Sequence, residues 1–278
     1  MVPELRPRGI GEMLDAAVAL YRARFTKLIP VSLAVVIPVQ AFTTMVLLSA
    51  EPDRFQISPT GSVTPQYSSG SASAQLASIV VVGLVNLVST AFITAVCTRI
   101  VADAYTDNVP IRSEALRVAG RRVLALAGLS IMVAMAQVAG ALACIVGIVV
   151  PIALFSVAVP ALVLEGHPVF RSLGRSVQLT REHLWRALGL VLSAQLLGVL
   201  IQLGLAVGIN AWLNHSANTT TAIIVQGVAS ALAASVTTPF LATAIVALYF
   251  DLRIRNEALD IQLLMQRADH PQAAGAPL

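Results

Sequence analysis

The sequence predicts an all-α polytopic membrane protein of about six transmembrane helices, with amphipathic helices at the interface and a threefold internal repeat. Three observations predict it. Hydrophobic residues make up 57% of the 278 positions and charged residues only 12%, which leaves too little polar surface to coat a water-soluble globule. The apolar residues fall in uncharged blocks of about 20 or more, the length an α-helix needs to cross ~30 Å of hydrocarbon. Seventeen of the 18 basic residues lie in alternate segments between those blocks, with Arg54 by itself on the other side. By the positive-inside rule this partition predicts that both termini face the cytoplasm.

The blocks place spans at 28 to 50, 76 to 98, 123 to 143, 145 to 164, 187 to 209 and 224 to 250, within one membrane domain covering residues 1 to 267. None of the six contains Asp, Glu, Lys or Arg. The first apolar stretch is too long for a signal-peptide core and is expected to stay attached as the first span. Ahead of it, Ile10, Leu14, Val18, Tyr21, Phe25 and Leu28 recur every three to four residues while Glu12, Asp15, Arg22 and Thr26 fall elsewhere. That is the period of an amphipathic helix, over 9 to 26. Its apolar stripe is narrow and interrupted by charge, so it is expected to lie along the interface rather than to cross.

The segment 168 to 184 repeats the pattern. A shift of 159 positions matches Leu14 with Leu173, Val18 with Val177, Leu20 with Leu179, Arg22 with Arg181 and Lys27 with Arg186. A shift of 148 matches Thr90 with Thr238, Phe92 with Phe240 and Asp103 with Asp251. Both predict one unit, an interfacial helix followed by two spans, beginning near residues 9, 110 and 168. The middle copy, with its interfacial helix at 110 to 122, keeps only Ile111, Leu116, Gly120 and Val123 of the pattern. The Ser-, Gly- and Pro-rich stretch from Glu51 to Gln75 reads as a flexible external loop, and 268 to 278 as a disordered tail.

Cys97, in the second span, and Cys144, at the turn between the third and fourth, read as small core residues, since neither has a partner in a polar loop. Gly204 with Gly208, and Ala136 with Gly140, are small-residue pairs that let helices approach closely. Gln40, Asn86, Gln137, Gln195, Gln202, Asn210 and Gln226 are amides at or near membrane depth, where an unpaired amide is costly, so interhelical hydrogen bonds are expected. Pro38, Pro151, Pro160 and Pro239 are expected to bend or interrupt their helices.

Several function classes find no support. The arginines form separate clusters rather than one basic stripe, so no nucleic-acid partner is expected. His167 and His183, beside Glu165 and Glu182, match no metal-ligand spacing, and no cofactor, metal or catalytic residue is assigned. The spans hold no ionisable residue of the kind that couples transport to ions. Glu114-Ala115-Leu116 with Gly120 partly matches the coupling loop of ABC importer permeases, but Leu116 replaces an alanine and no Leu-Pro pair follows.

Three stretches carry a likeness to a known family. They are Arg6-Pro7-Arg8-Gly9-Ile10-Gly11-Glu12 with Asp15, Tyr21, Arg22 and Phe25; Phe170-Arg171-Ser172 through Ser176, then Leu179-Thr180-Arg181 and Trp185; and Tyr249-Phe250-Asp251-Leu252-Arg253-Ile254-Arg255 with Glu257 and Asp260. This arrangement resembles the bacterial glycerophosphoryl diester phosphodiesterase membrane-domain family, in particular its stand-alone members without the hydrolase. The segments between spans are too short to hold that soluble phosphodiesterase, so its activity is not implied. What the resemblance implies is a non-enzymatic accessory or scaffold module of a bacterial inner membrane, serving envelope or lipid processes. The alternative is a transport component, either a permease subunit or a lipid carrier.

The partners implied are membrane lipids, anionic headgroups among them, and other proteins in the membrane. Candidate site residues are the charged groups closing the even-numbered spans: Arg99 with Asp103, Glu165 with Arg171, and Asp251 with Arg253 and Arg255. An unpaired carboxylate or half-buried guanidinium is costly at an interface, so these are expected to form a belt of ion pairs. The alternative use of the same arginines is a headgroup-binding site.

Overall fold

The computed structural model describes residues 9–49, 55–57, 63–65, 72–105, 112–143, 147, 149–213 and 219–257. In chain order they form α1 (Ile10–Ser49), β1 (Phe55–Ile57), β2 (Val63–Pro65), α2 (Ala72–Tyr105), α3 (Arg112–Arg121), α4 (Val123–Ala143), α5 (Val149–Leu154), α6 (Ala158–Leu164), α7 (Val169–Thr180), a 3-10 turn (Arg181–His183), α8 (Leu184–Leu213) and α9 (Thr219–Glu257). Five stretches among the described residues are long and apolar enough to cross a membrane: Ile10–Val46, Val80–Asp103, Val123–Leu142, Val169–Ile209 and Ile224–Glu257. The chain is an all-α polytopic membrane protein. Part of the stretch expected to be a loop is an antiparallel ribbon pairing Phe55 with Pro65 and Ile57 with Val63, where β-branched and aromatic residues favour extended backbone.

The two longest helices, α1 and α9, make the most extensive pairing in the molecule. They run antiparallel: Met13 packs in the cluster that holds Tyr249 and Leu252, and Thr44 faces Gly227. A missing donor helps to join them, because Pro239 has no N–H and leaves the carbonyl of Ser235 without its helical partner. Ser32 Oγ of α1 donates to that carbonyl at 2.8 Å, and Tyr21 OH donates to the carbonyl of Val236 at 3.1 Å. The proline that interrupts the hydrogen bonding of α9 thus opens a carbonyl to Ser32 of α1. Around this pair, α2 and α8 contact α9, and α4 contacts α2. Cys97 lies fully buried in the largest apolar cluster, as expected of a core residue; Cys144 is outside the described residues.

Four expectations are corrected. The block 145 to 164 is not one helix, because α5 ends at Leu154 and α6 starts at Ala158. Pro160 lies in the first turn of α6, where its missing N–H has no partner to lose, and the amide of Ala158 donates to Phe155 at 3.2 Å rather than to Leu154. Ser176 Oγ of α7 donates to the abandoned Leu154 carbonyl at 2.6 Å, and the Thr180 hydroxyl, 2.8 Å from the carbonyl of Ser176 in its own helix, lies 3.2 Å from it. Secondly, the segment 9 to 26 is no separate interfacial helix, since α1 runs unbroken from Ile10 to Ser49 with Pro30 and Pro38 inside it. No Gly or Pro interrupts residues 12 to 29, and Met13 and Ala17 are buried at 1% and 0% exposure against α8 and α9.

The third correction concerns the small-residue pairs. Gly204 and Gly208 have nothing within 4 Å of where a Cβ would stand, whereas Gly140 lies directly against the backbone of Gly147. The fourth concerns the amides. Asn86 donates to Val82 of its own helix at 2.9 Å, Gln195 and Gln202 are exposed, and the Oε1 of Gln226 is buried without a partner among the described residues. Among the described residues no hydrogen bond from Asn86, Gln195 or Gln202 reaches another helix, whereas the hydroxyls of Tyr21, Ser32 and Ser176 do reach one.

Candidate functional site

The polar residues of the described chain gather where α6, α7 and the last turns of α9 meet. The chain turns there at Glu165-Gly166-His167-Pro168, with Gly166 at φ +73°, a left-handed conformation that ends α6 and that a side chain would strain. Arg122, between α3 and α4, donates to the carbonyl of Leu162 at 2.6 Å and so satisfies one of the open carbonyls of α6. Pro168 then starts α7 with its backbone extended.

Glu165 is the centre of the cluster. Arg175 Nε lies 3.1 and 3.0 Å from its two carboxylate oxygens, Tyr249 OH donates to Oε1 at 2.7 Å, and His167 Nε2 lies 3.1 Å from Oε2. Arg175 also donates through Nη2 to Glu257, whose other oxygen accepts from Arg253 Nε at 2.9 Å. The guanidinium of Arg253 sits 5.7 Å over the ring of Tyr249, a cation–π distance. Glu165, Arg175, Glu257, Arg253 and Tyr249 therefore close a ring of contacts joining α6, α7 and α9.

A second cluster adjoins it. Asp251, with a side chain 5% exposed, accepts from Arg186 Nε of α8 at 3.0 Å and from Arg255 Nε at 2.9 Å. Removing one partner from such a buried pair costs about 3 to 5 kcal/mol, because a desolvated charge is left behind. Asn256 Nδ2 donates to the carbonyl of Leu179 at 3.0 Å and fastens the same turn of α9 to α7. Arg99 and Asp103 are 3.6 Å apart on α2, and the arginine side chain is 36% exposed; a pair of that kind contributes about 0.5 kcal/mol or less.

The expected belt is thus realised in part and rearranged in part. Asp251 pairs with Arg255 and Asp103 with Arg99 as the sequence suggested. Arg253, however, goes to Glu257, and Glu165 goes to Arg175 rather than Arg171. Arg171 is exposed and pairs with no acidic residue among those described. It borders an open cleft of about 390 Å³ with Glu165, His167, Gly174, Arg175 and Gln178. On the other side of Arg175 a second cleft, about 320 Å³, reaches Arg181, His183 and Asn256.

Arg175, Arg186, Tyr249 and Glu257 were not among the candidates. The Arg253 to Glu257 spacing of four residues was a legible signal for one of them. For Arg175 the signal was weaker: Ser172, Ser176 and Thr180, all buried, mark the inward face of α7 at four-residue spacing, and Arg175 adjoins that face. No local signal pointed to Arg186, which reaches a carboxylate 65 residues away. No family model, curated protein or solved structure matches the chain.

Proposed function

We propose that this chain is a non-enzymatic accessory or scaffold module of a bacterial inner membrane, a stand-alone relative of the glycerophosphoryl diester phosphodiesterase membrane-domain family. In this reading both termini are cytoplasmic, and α7 presents a rigid interfacial surface to anionic headgroups and to partner proteins in envelope or lipid processes. The observation that carries it is the division of α7 between two faces. Inward, Ser172, Ser176, Leu179 and Thr180 are buried, and Arg175 joins the ring around Glu165. Outward, Phe170 is 73% exposed beside the exposed Arg171, and Trp185 is 84% exposed just beyond the 3-10 turn.

An aromatic ring and a guanidinium side by side suit the membrane interface, with the ring at the acyl boundary and the charge among phosphates. The partition of basic residues supports the orientation. Glu165, Asp251 and Glu257 are each engaged by arginine, which favours a structural use of these carboxylates over proton transfer. The stretch that carries the family resemblance, Tyr249 to Arg255, supplies several of the clustered side chains to the site.

A transport component is the second reading, favoured by the interruption between α5 and α6, since broken helices form binding sites in transporters. Here the carbonyl exposed by the break is taken by Ser176, which favours the scaffold. Thermal unfolding in mild detergent tests the proposal. Added phosphatidylglycerol should raise the melting temperature more than phosphatidylcholine does, and Arg171→Gln should remove that difference without lowering the melting temperature in detergent by itself. Equal stabilisation of the parent by both lipids would overturn the reading.

A further inference from the structure

Two amides expected to be satisfied inside the bundle are on its outside. Gln195 and Gln202 are exposed on α8, and neither hydrogen-bonds to any described residue. They lie ~12 and ~22 Å along the helix from Ala187, where the uncharged stretch opens. Lipid chains offer an amide neither donor nor acceptor. The fold gives them no inward route, because the buried side of this stretch is formed by Leu190, Val191, Ala194 and Gly198, the last facing Thr237 of α9.

The two amides are seven residues apart, so they stand one above the other on the helix surface. Leu192, 46% exposed, and Val199, 55% exposed, alternate with them. Leu192, Gln195, Val199 and Gln202 thus form the three-four-three spacing of a helix–helix seam. The chemistry of the seam selects its occupant. An amide carries both donor and acceptor and is its own complement. Two copies of one chain share a membrane orientation, so a two-fold axis along the membrane normal sets each glutamine opposite its own equivalent at the same depth. Any other partner would need matching polar groups at both depths.

We infer that the seam Leu192, Gln195, Val199, Gln202 of α8 is the interface between two parallel copies of this chain, with both glutamines hydrogen-bonding across the two-fold axis. The inference is independent of the functional reading above. Single cysteines in a full chain carrying Cys97→Ala and Cys144→Ala test it by oxidative cross-linking in native membranes. Val199→Cys should yield a covalent homodimer, while Leu197→Cys, also exposed at 44% but on another side of α8, should not. Separately, Gln195→Leu with Gln202→Leu should weaken self-association about tenfold, measured by energy transfer between labelled copies in bilayers. Cross-linking at Leu197→Cys as efficient as at Val199→Cys, capture of a different protein at Val199→Cys, or unchanged association of the double variant would each overturn it.

Discussion

The start of α1 and the helix α7 carry the same amphipathic pattern, related by a shift of 159 residues, yet the structure uses them differently. The first is the opening of a 40-residue helix that continues into a span. The second is a 12-residue helix of its own, set off by Gly166 and Pro168 before it and by the 3-10 turn after it. Their attachments differ as well. Met13 and Ala17 are held by apolar contact with α8 and α9, whereas α7 is held by hydroxyls on the Leu154 carbonyl and by the ring of charges around Glu165. Hydrophobic period therefore tells which face turns inward, but not whether the helix ends.

The sharpest way to break this contrast is at the polar attachment. Glu165→Gln removes the charge shared by Arg175, Tyr249 and His167, and should cost about 3 kcal/mol, the lower end for opening a buried pair. Denaturant titration in detergent checks it, and a loss below ~1 kcal/mol would mean that α7 is held by its apolar contacts instead. Met13→Ala tests the apolar attachment and should cost about 2 kcal/mol through the cavity it leaves; a neutral result would return the first segment to the membrane surface.

Geometry offers an independent check of the same contrast. Spin labels at Asp15→Cys and Phe42→Cys, both exposed on α1, should stand ~40 Å apart along a continuous helix. A segment folded flat at residue 27 would bring them to about 29 Å. Gly166→Ala should cost about 1 to 2 kcal/mol, because its φ of +73° disfavours a side chain and the new Cβ would lie 3.2 Å from Arg122 Nη2. Smallest of all, Arg99→Gln should change stability by under ~0.5 kcal/mol, since its pair with Asp103 is partly open to solvent.

Composition and block length determined the class of this protein, because uncharged stretches of span length have few stable homes outside a membrane. The sequence also determined two pairs within one helix, Arg99 with Asp103 and Asp251 with Arg255, since residues four apart on a helix are neighbours whatever surrounds them; Arg253, expected beside Asp251, follows the same spacing to Glu257. The tertiary structure decided the rest. Pro239 announces that a carbonyl is freed, but not what takes it, and nothing local announces that the carbonyl of Leu154 loses the amide of Ala158. Ser32, 203 residues from Ser235, donates to the carbonyl that Pro239 leaves open, and Ser176, 22 residues from Leu154, donates to the carbonyl at the break between α5 and α6. The same holds for Glu165, whose partner Arg175 lies across a glycine turn, and for Asp251, whose partner Arg186 lies on another helix. Helical period and hydropathy act over a turn or two of backbone, whereas a freed carbonyl or a buried charge is satisfied by whichever group folding brings within about 3 Å, and only the assembled bundle determines that group.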